Sequence, residues 1–337
     1  MQATRFAIIG AGQIGQRHAL HASNYGQLVA VCDLDLEKAT TLANTYGAMA
    51  VADINSLLSL ASSIDLVAIC TPNGLHAAHA MACMQAGMRV LVEKPMAISV
   101  ADCKSMMEVA KQTDKEMYTV VQNRFNPPVA ALKAAIAEGK LGRIQNIQIN
   151  CFWNRPAAYY QDSWHGSKEM DGGILFTQFS HFIDLLYWLF GPVTTVQTLA
   201  QNFQHQGMIA GEDAGSVLLQ MDSGAIASLH YSVNSHAKNA EGSLTVLAEK
   251  GILKIGGEYL NTIAYQSLES GPLLISQSSN SANQYGTYQG SMSNHGMVYA
   301  NLVAALQGRE TYYATAEEAL QTVAIIERIH QSINLQS

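Results

Sequence analysis

Along roughly the first 123 residues, the apolar positions alternate between two periods. Short apolar runs rich in β-branched residues occur at Phe6–Ile9, Leu28–Cys32, Ala48–Val51, Leu66–Cys70, Arg89–Val92 and Met117–Val120. Between them the period lengthens to that of a helix, at Gln13–Ser23, Leu36–Tyr46, Ile54–Leu60, His76–Ala86 and Val100–Lys111. Buried strands alternating with amphipathic helices predict a parallel sheet covered on both faces, the doubly wound α/β arrangement. Right-handed crossovers then bring the strand C-termini to one edge, where ligands bind.

Beyond Asn123 the texture changes. A helix is predicted over Pro127–Glu138, with two prolines suited to its first turn, and Ile144–Phe152 alternates as a half-buried strand. A helical period over Ile174–Phe190 ends at Gly191-Pro192. Strand candidates then crowd together at Thr194–Ala200, Gly215–Met221, Ala225–Val233, Gly242–Ala248 and Gly251–Ile255, joined by hairpin-type turns. A large, mainly antiparallel open sheet in an α+β domain follows. Gln277–Ser293, rich in Ser, Asn, Gln and Tyr, reads as a long loop, and helices over Met297–Gln307 and Ala316–Ser332 close the chain. The expected division is residues 1–123 and 124–337.

Composition narrows the partners. Of 337 residues only 13% are charged, against about 25% in ordinary soluble domains, so much of the surface is neutral or buried against further copies of the chain. The net charge is −7 and no basic tract stands out, which argues against nucleic acid. No apolar stretch reaches the ~18 residues that span a bilayer, and the N-terminus lacks a leader pattern. The five cysteines are odd in number and show no CxxC spacing, which suits a reducing cytoplasm and argues against a structural metal site.

Four motifs carry chemistry. Gly10-x-Gly12-x-x-Gly15 lies between a strand and a helix, and Asp33 ends the next strand 18 residues past Gly15. Gly10 makes the turn, Gly12 admits a pyrophosphate, Gly15 lets strand and helix pack, and the amides of Gln13 and Ile14 face the phosphates. Asp33 would take the adenosine ribose and repel a 2′-phosphate, favouring NAD; its plainer reading is a helix cap. Thr71-Pro72-Asn73, with His76 opening the next helix, lies at the same strand edge, where Asn73 could also be a simple N-cap. Glu93-Lys94-Pro95 follows the strand Arg89–Val92, and a partly desolvated Lys94 could donate to a reacting hydroxyl, or simply pair with Glu93. On the predicted helix, Thr177, His181 and Asp184 share a face; His181 is either a general base or a satisfied core histidine.

Taken in order, the glycine loop followed by His18, the Thr71-Pro72-Asn73 loop, the Glu93-Lys94-Pro95 turn and the GG…HxxD helix resemble the Gfo/Idh/MocA family of NAD(P)-dependent sugar and polyol oxidoreductases. The resemblance implies a Rossmann domain that binds NAD and a second domain for substrate and oligomerisation. It implies Lys94 and His181 as catalytic residues, and Gly10, Gly12, Gln13, Ile14, Gly15, Asp33, Thr71, Pro72, Asn73, His76, Glu93, Lys94 and Gln122 around the cofactor. It also implies a homodimer or tetramer packed through the open sheet face, which the cysteine pattern places in the cytoplasm. Many members carry an Asp one turn before the histidine; here Thr177 stands there, so a Lys–Asp–His trio does not carry over whole.

Longer strings, Asn123–Pro128, Phe152–Pro156 with Tyr159-Tyr160, Trp164–Gly166, Asn239–Leu247 and Lys254–Gly257, resemble the branch that oxidises C3 of UDP-2-acetamido-2-deoxy-glucuronate on the route to bacterial surface polysaccharides. Ser167, Ala248 and the tail depart from it. A nucleotide-sugar uronate presents a pyrophosphate and a carboxylate, both suited to Arg, so Arg124 and Arg155 are candidate substrate ligands. Asn123, Tyr160, Trp164, Gln178 and His181 complete the expected substrate site. The alternatives are an inositol or free-aldose dehydrogenase of the same family, or a non-catalytic dinucleotide-binding regulator.

Overall fold

A computed structural model describes residues 3–275, 281–284 and 289–334. The chain divides into two compact units, Met1–Val121 with His295–Val323, and Gln122–Asn294 with Ala324–Ser337. The C-terminal segment that sequence assigned wholly to the second domain is thus shared. The reason lies in side chains: Tyr299 and His295 are buried against His18, and Tyr299 also meets Phe6 edge-on at 5.6 Å.

In the first unit, strands β1 (Arg5–Ile9), β2 (Gln27–Cys32), β3 (Met49–Val51), β4 (Leu66–Ile69), β5 (Arg89–Val92) and β6 (Met117–Thr119) form one parallel sheet in the order β3-β2-β1-β4-β5-β6. The order reverses between β1 and β4, and a crevice opens at such a switch point. Capping side chains start the helices: Asp35 accepts from Lys38 N, Asp53 from Ser56 N and Ser99 from Asp102 N. The helix Gln13–Tyr25 is different, because Gly12 leaves its first turn with no side-chain cap.

In the second unit, β7 (Ile144–Phe152), β8 (Val193–Gln201), β9 (Ala214–Met221), β10 (Ile226–Ser232), β11 (Glu241–Ala248), β12 (Gly251–Gly256) and β13 (Thr262–Leu268) form a sheet in the order β13-β12-β11-β7-β10-β9-β8. All neighbours are antiparallel except β7 with β10. Strand β13 escaped the sequence reading because its apolar residues do not alternate regularly and none of its side chains is buried at the sheet edge. One face packs on the helix Ser180–Phe190, with Phe182 against Trp153 and Phe179 against Tyr231. The other face leaves Leu199, Leu218, Ile226, Leu247 and Tyr265 exposed.

Two expectations are corrected here. The helix predicted over Ile174–Phe190 breaks into Ile174–Thr177 and Ser180–Phe190. Within the expected loop Gln277–Ser293, β14 (Ala282–Gln284) pairs antiparallel with β15 (Gln289–Met292); residues 277–280 and 285–288 lie outside the described residues. Among the described residues, all five cysteines are free and buried, and no helix is long and apolar enough to cross a membrane.

Candidate active site

The glycine loop follows from steric limits. Gly10 has φ +98°, and a Cβ there would stand 2.5 Å from Cys70 O. A Cβ on Gly15 would stand 1.8 Å from Gly10 O, whereas one on Gly12 would meet open space. The uncapped amides of Gln13 and Ile14 therefore border room for a bulky anion, and the helix dipole favours negative charge there. These residues fit a dinucleotide pyrophosphate. Asp33 has a second role that sequence reasoning missed: its Oδ2 accepts from Ala11 N at 2.7 Å and its Oδ1 from Asp35 N at 2.9 Å. The carboxylate pins the loop, and its remaining lone pairs stay open to a ribose.

The other two loops of this unit are tied together. His76, 1% exposed, has Nδ1 2.7 Å from Pro95 O and Nε2 2.9 Å from Thr71 O. Both ring nitrogens stand at backbone carbonyls, and the neutral ring donates to one of them, so His76 lies between the loop Thr71–Asn73 and the turn Glu93–Pro95. Burial lowers its pKa, against the pull of the two carbonyls. Thr71 Oγ1 stands 3.2 Å from His79 Nδ1, Pro72 precedes a single 3₁₀ turn opened by Asn73, and no side chain caps the helix His76–Gln85, so Asn73 is not its N-cap.

Glu93 is likewise turned to the interior. Its Oε1 lies 2.9 Å from His18 Nε2 and 3.1 Å from His295 Nε2, and its Oε2 accepts from Lys94 N at 3.0 Å. Side chains of metal-ligating type gather here, but these separations are hydrogen bonds to one shared oxygen. Lys94 is half-buried, and its bond to Pro95 is cis.

The second unit holds the remaining candidates. Gln122, placed near the cofactor by the sequence reading, is buried here and donates through Nε2 to Ser291 Oγ at 3.0 Å. Arg124 forms a bidentate pair with Asp184, Nε to Oδ2 at 3.0 Å and Nη2 to Oδ1 at 2.7 Å, and lies over the Trp188 ring. Both partners are 2–3% exposed. This guanidinium fork already has its carboxylate, which makes Arg124 and Asp184 a structural pair.

Arg155, 3% exposed, lies among aromatic rings, 5.3 Å from the Trp153 centroid and 5.4 Å from that of Tyr159, while its Nη1 donates to Asn154 O and Asn239 Oδ1. Its backbone is held by the buried His205–Asp213 pair, with His205 Nε2 2.9 Å from Arg155 O. Tyr160 is buried and Trp164 stacks on His165 with centroids 3.9 Å apart. Gln178 donates to Tyr159 OH at 3.1 Å. His181, 5% exposed, stands in the first turn of Ser180–Phe190. Among the described residues, the buried side-chain oxygens of this unit without a hydrogen-bond partner include Asn123 Oδ1, Gln178 Oε1, Ser180 Oγ and Tyr160 OH. Buried polar atoms are normally satisfied, so these suit a polyhydroxylated ligand.

The helix break also removes Thr177 from the face of His181. Thr177 Oγ1 donates instead to Asp171 Oδ1, and that buried carboxylate accepts Gly166 N as well. Sequence spacing held no signal for this pairing.

Residues 4–121 match the family described as oxidoreductase family, NAD-binding Rossmann fold (GFO_IDH_MocA), and residues 129–254 match the GFO/IDH/MocA C-terminal domain. The chain belongs to the Gfo/Idh/MocA family. Among solved structures, the WlbA dehydrogenase from Chromobacterium violaceum, in complex with NADH and UDP-GlcNAcA, is 31% identical with a TM-score of 0.90, covering 100% of this chain and 95% of that one. The WlbA dehydrogenase from Bordetella pertussis, with the same two ligands, is 30% identical with a TM-score of 0.89, covering 100% and 98%. D-glucoside 3-dehydrogenase from Escherichia coli is 31% identical over 209 residues, 60% of this chain and 58% of that protein. The match thus spans less than two thirds of that relative. As a Gfo/Idh/MocA protein the chain has an NAD-binding Rossmann unit, and its glycine loop is built accordingly.

Proposed function

We propose that this protein is an NAD-dependent dehydrogenase that oxidises C3 of UDP-2-acetamido-2-deoxy-glucuronate, in bacterial surface-polysaccharide synthesis. The observation that carries this reading is the end-to-end likeness to two dehydrogenases bound to NADH and UDP-GlcNAcA. The second unit supports it with a buried guanidinium, Arg155, set among rings, and with buried oxygens elsewhere in the unit that lack a hydrogen-bond partner. A buried Arg suits an anionic sugar better than a neutral polyol.

When bound, the nicotinamide supplies the hydride acceptor. The chain's own residues handle the rest. The amides of Gln13 and Ile14 hold the phosphates and Asp33 the ribose. The ammonium of Lys94 donates to the reacting hydroxyl and stabilises negative charge developing on its oxygen, and His181 takes the proton. Asn123 Oδ1 and Gln178 Oε1 accept from sugar hydroxyl or acetamido groups. Self-association through the exposed apolar residues of the open sheet face belongs to the same reading; light scattering on the purified protein checks it.

Mass spectrometry of UDP-2-acetamido-2-deoxy-glucuronate after incubation with the protein and NAD tests the reaction, with and without 2-oxoglutarate to reoxidise NADH. A product lighter by two hydrogens is expected. Lys94→Ala should lower turnover by ~10³-fold while NADH still binds; a near-wild-type rate would refute the role of Lys94. The similarity to D-glucoside 3-dehydrogenase favours one alternative, a free glucoside as substrate. Turnover of methyl glucoside with none of the nucleotide sugar would decide for it.

A further inference from the structure

Lys94 is flanked on both sides by buried anchors, all within the first unit. On one side Pro95 O is held by His76. On the other, Glu93 gathers His18 Nε2, His295 Nε2 and the Lys94 amide, and His18 Nδ1 stands 2.9 Å from the Tyr299 hydroxyl. One arrangement of protons satisfies every one of these Glu93 and His18 contacts. With a proton on each Nε2, both imidazoles donate to the ionised carboxylate, and Tyr299 donates to His18 Nδ1. Burial works against a charged Glu93, yet the hydrogen bonds from His18 and His295 outweigh it and hold the carboxyl well below its usual range.

The neighbouring groups add little negative charge of their own. Burial raises the Cys70 thiol at the end of β4 and the hydroxyls of Tyr299 and Tyr312. Burial lowers His21, to about 4, and likewise His76 and His295, so these are neutral near pH 7. Arg17, on the glycine-loop helix, is the other cation acting on the histidines, so Glu93 is the negative charge of the cluster.

We propose that Glu93 is the positioning residue for Lys94: its buried charge, held by His18 and His295, orients the turn and favours the protonated form of the lysine. This rests on the reading of Lys94 as the residue that meets the substrate hydroxyl. It also ties the glycine-loop helix, which carries His18, to the turn that carries the lysine.

Competitive labelling of Lys94 with acetic anhydride, read by mass spectrometry over roughly pH 7 to 11 on the NADH-loaded full-length protein, tests the charge effect without any substrate. In Glu93→Gln the labelling midpoint should fall by about one pH unit, and in Glu93→Asp, which keeps the charge, by less than about half of that. His295→Gln retains a donor near the place of Nε2 and should move the midpoint less than His295→Leu does. With UDP-2-acetamido-2-deoxy-glucuronate and NAD, Glu93→Gln should lower kcat by ~10–100-fold while NADH affinity stays within ~3-fold. An unchanged labelling midpoint in Glu93→Gln and His295→Leu overturns the proposal, as does a loss of kcat matched by equal losses of NADH affinity and thermal stability. Lys94→Ala is run in parallel. If it keeps turnover, the catalytic reading of Lys94 fails, whereas the labelling shifts still report whether Glu93 governs the lysine.

Discussion

In the first unit, contacts with backbone groups hold the loops at the strand ends. Cys70 O occupies the place a Cβ on Gly10 would need, Asp33 grips Ala11 N, and His76 stands between two carbonyls. In the second unit, side chains hold side chains: Arg124 with Asp184, Gln178 with Tyr159, Thr177 with Asp171, Arg155 with Asn239. The first arrangement suits a glycine loop opening a helix, because there a pyrophosphate is recognised by amides and a helix end. The second is particular to a substrate, whose hydroxyls and charges must be met individually. A backbone cradle tolerates few substitutions, and a side-chain network tolerates paired ones.

The glycines give the strongest way to break that contrast. Gly15→Ala places a Cβ 1.8 Å from Gly10 O, a backbone atom that cannot swing aside, and should cost at least ~3 kcal/mol in urea unfolding. Gly12→Ala meets open space, so stability should hold while NADH affinity falls ~100-fold, read by fluorescence titration. Equal behaviour of the two variants would remove the distinction between packing and binding glycines.

In the second unit, Asp184→Asn leaves the buried Arg124 charge without its carboxylate and should cost ~3–5 kcal/mol. Replacing the pair together by Met and Leu should restore much of the loss, which a single-residue role for either would not allow.

Acid should weaken the fold next. His76 and His295 are buried with pKa values below the ordinary 6.5, so the unfolded chain binds protons that the native state refuses. Stability is complete above pH 6.5 and declines as pH falls below it; protonation of Glu93 adds to the loss below its ordinary 4.5. Calorimetric Tm values should hold from pH 7 to 6.5 and drop from there toward 4.5, with a shallower slope in His295→Gln.

The smallest effect separates the two roles of Asp33. Asp33→Asn keeps an acceptor for Ala11 N but loses the charge, so NAD should weaken ~10-fold and relative use of NADP should improve. Asp33→Ala should weaken both cofactors, because the loop loses its pin. Unchanged preference in Asp33→Asn would refute the charge role.

The apolar periods of residues 6–120 give every strand of the parallel sheet, most plainly its central strands β1, β4 and β5, which are almost wholly buried and leave continuous apolar runs. Strand β13 was missed for the opposite reason: at the sheet edge none of its side chains is buried. The helix break at Gln178–Phe179 was invisible too, since an unbroken apolar period continues across it. Arg124 illustrates the limit for site residues. Its type and neighbourhood suited an anionic ligand, and only packing revealed that Asp184, 60 positions away, already meets it.

By itself the sequence determined the parallel unit, the glycine loop, the placement of Thr71–Asn73 and Glu93–Pro95 at strand ends, and the family. Those features depend on contacts between near neighbours or on repeated periods, and both are written in local order. Tertiary structure alone decided that Glu93 turns inward to His18 and His295, that His76 lies between two loops, that Arg124 belongs to Asp184, and that the segment from His295 packs with the first unit. Each of those joins residues far apart in the chain, and a buried charge takes its role from whichever partner the fold delivers.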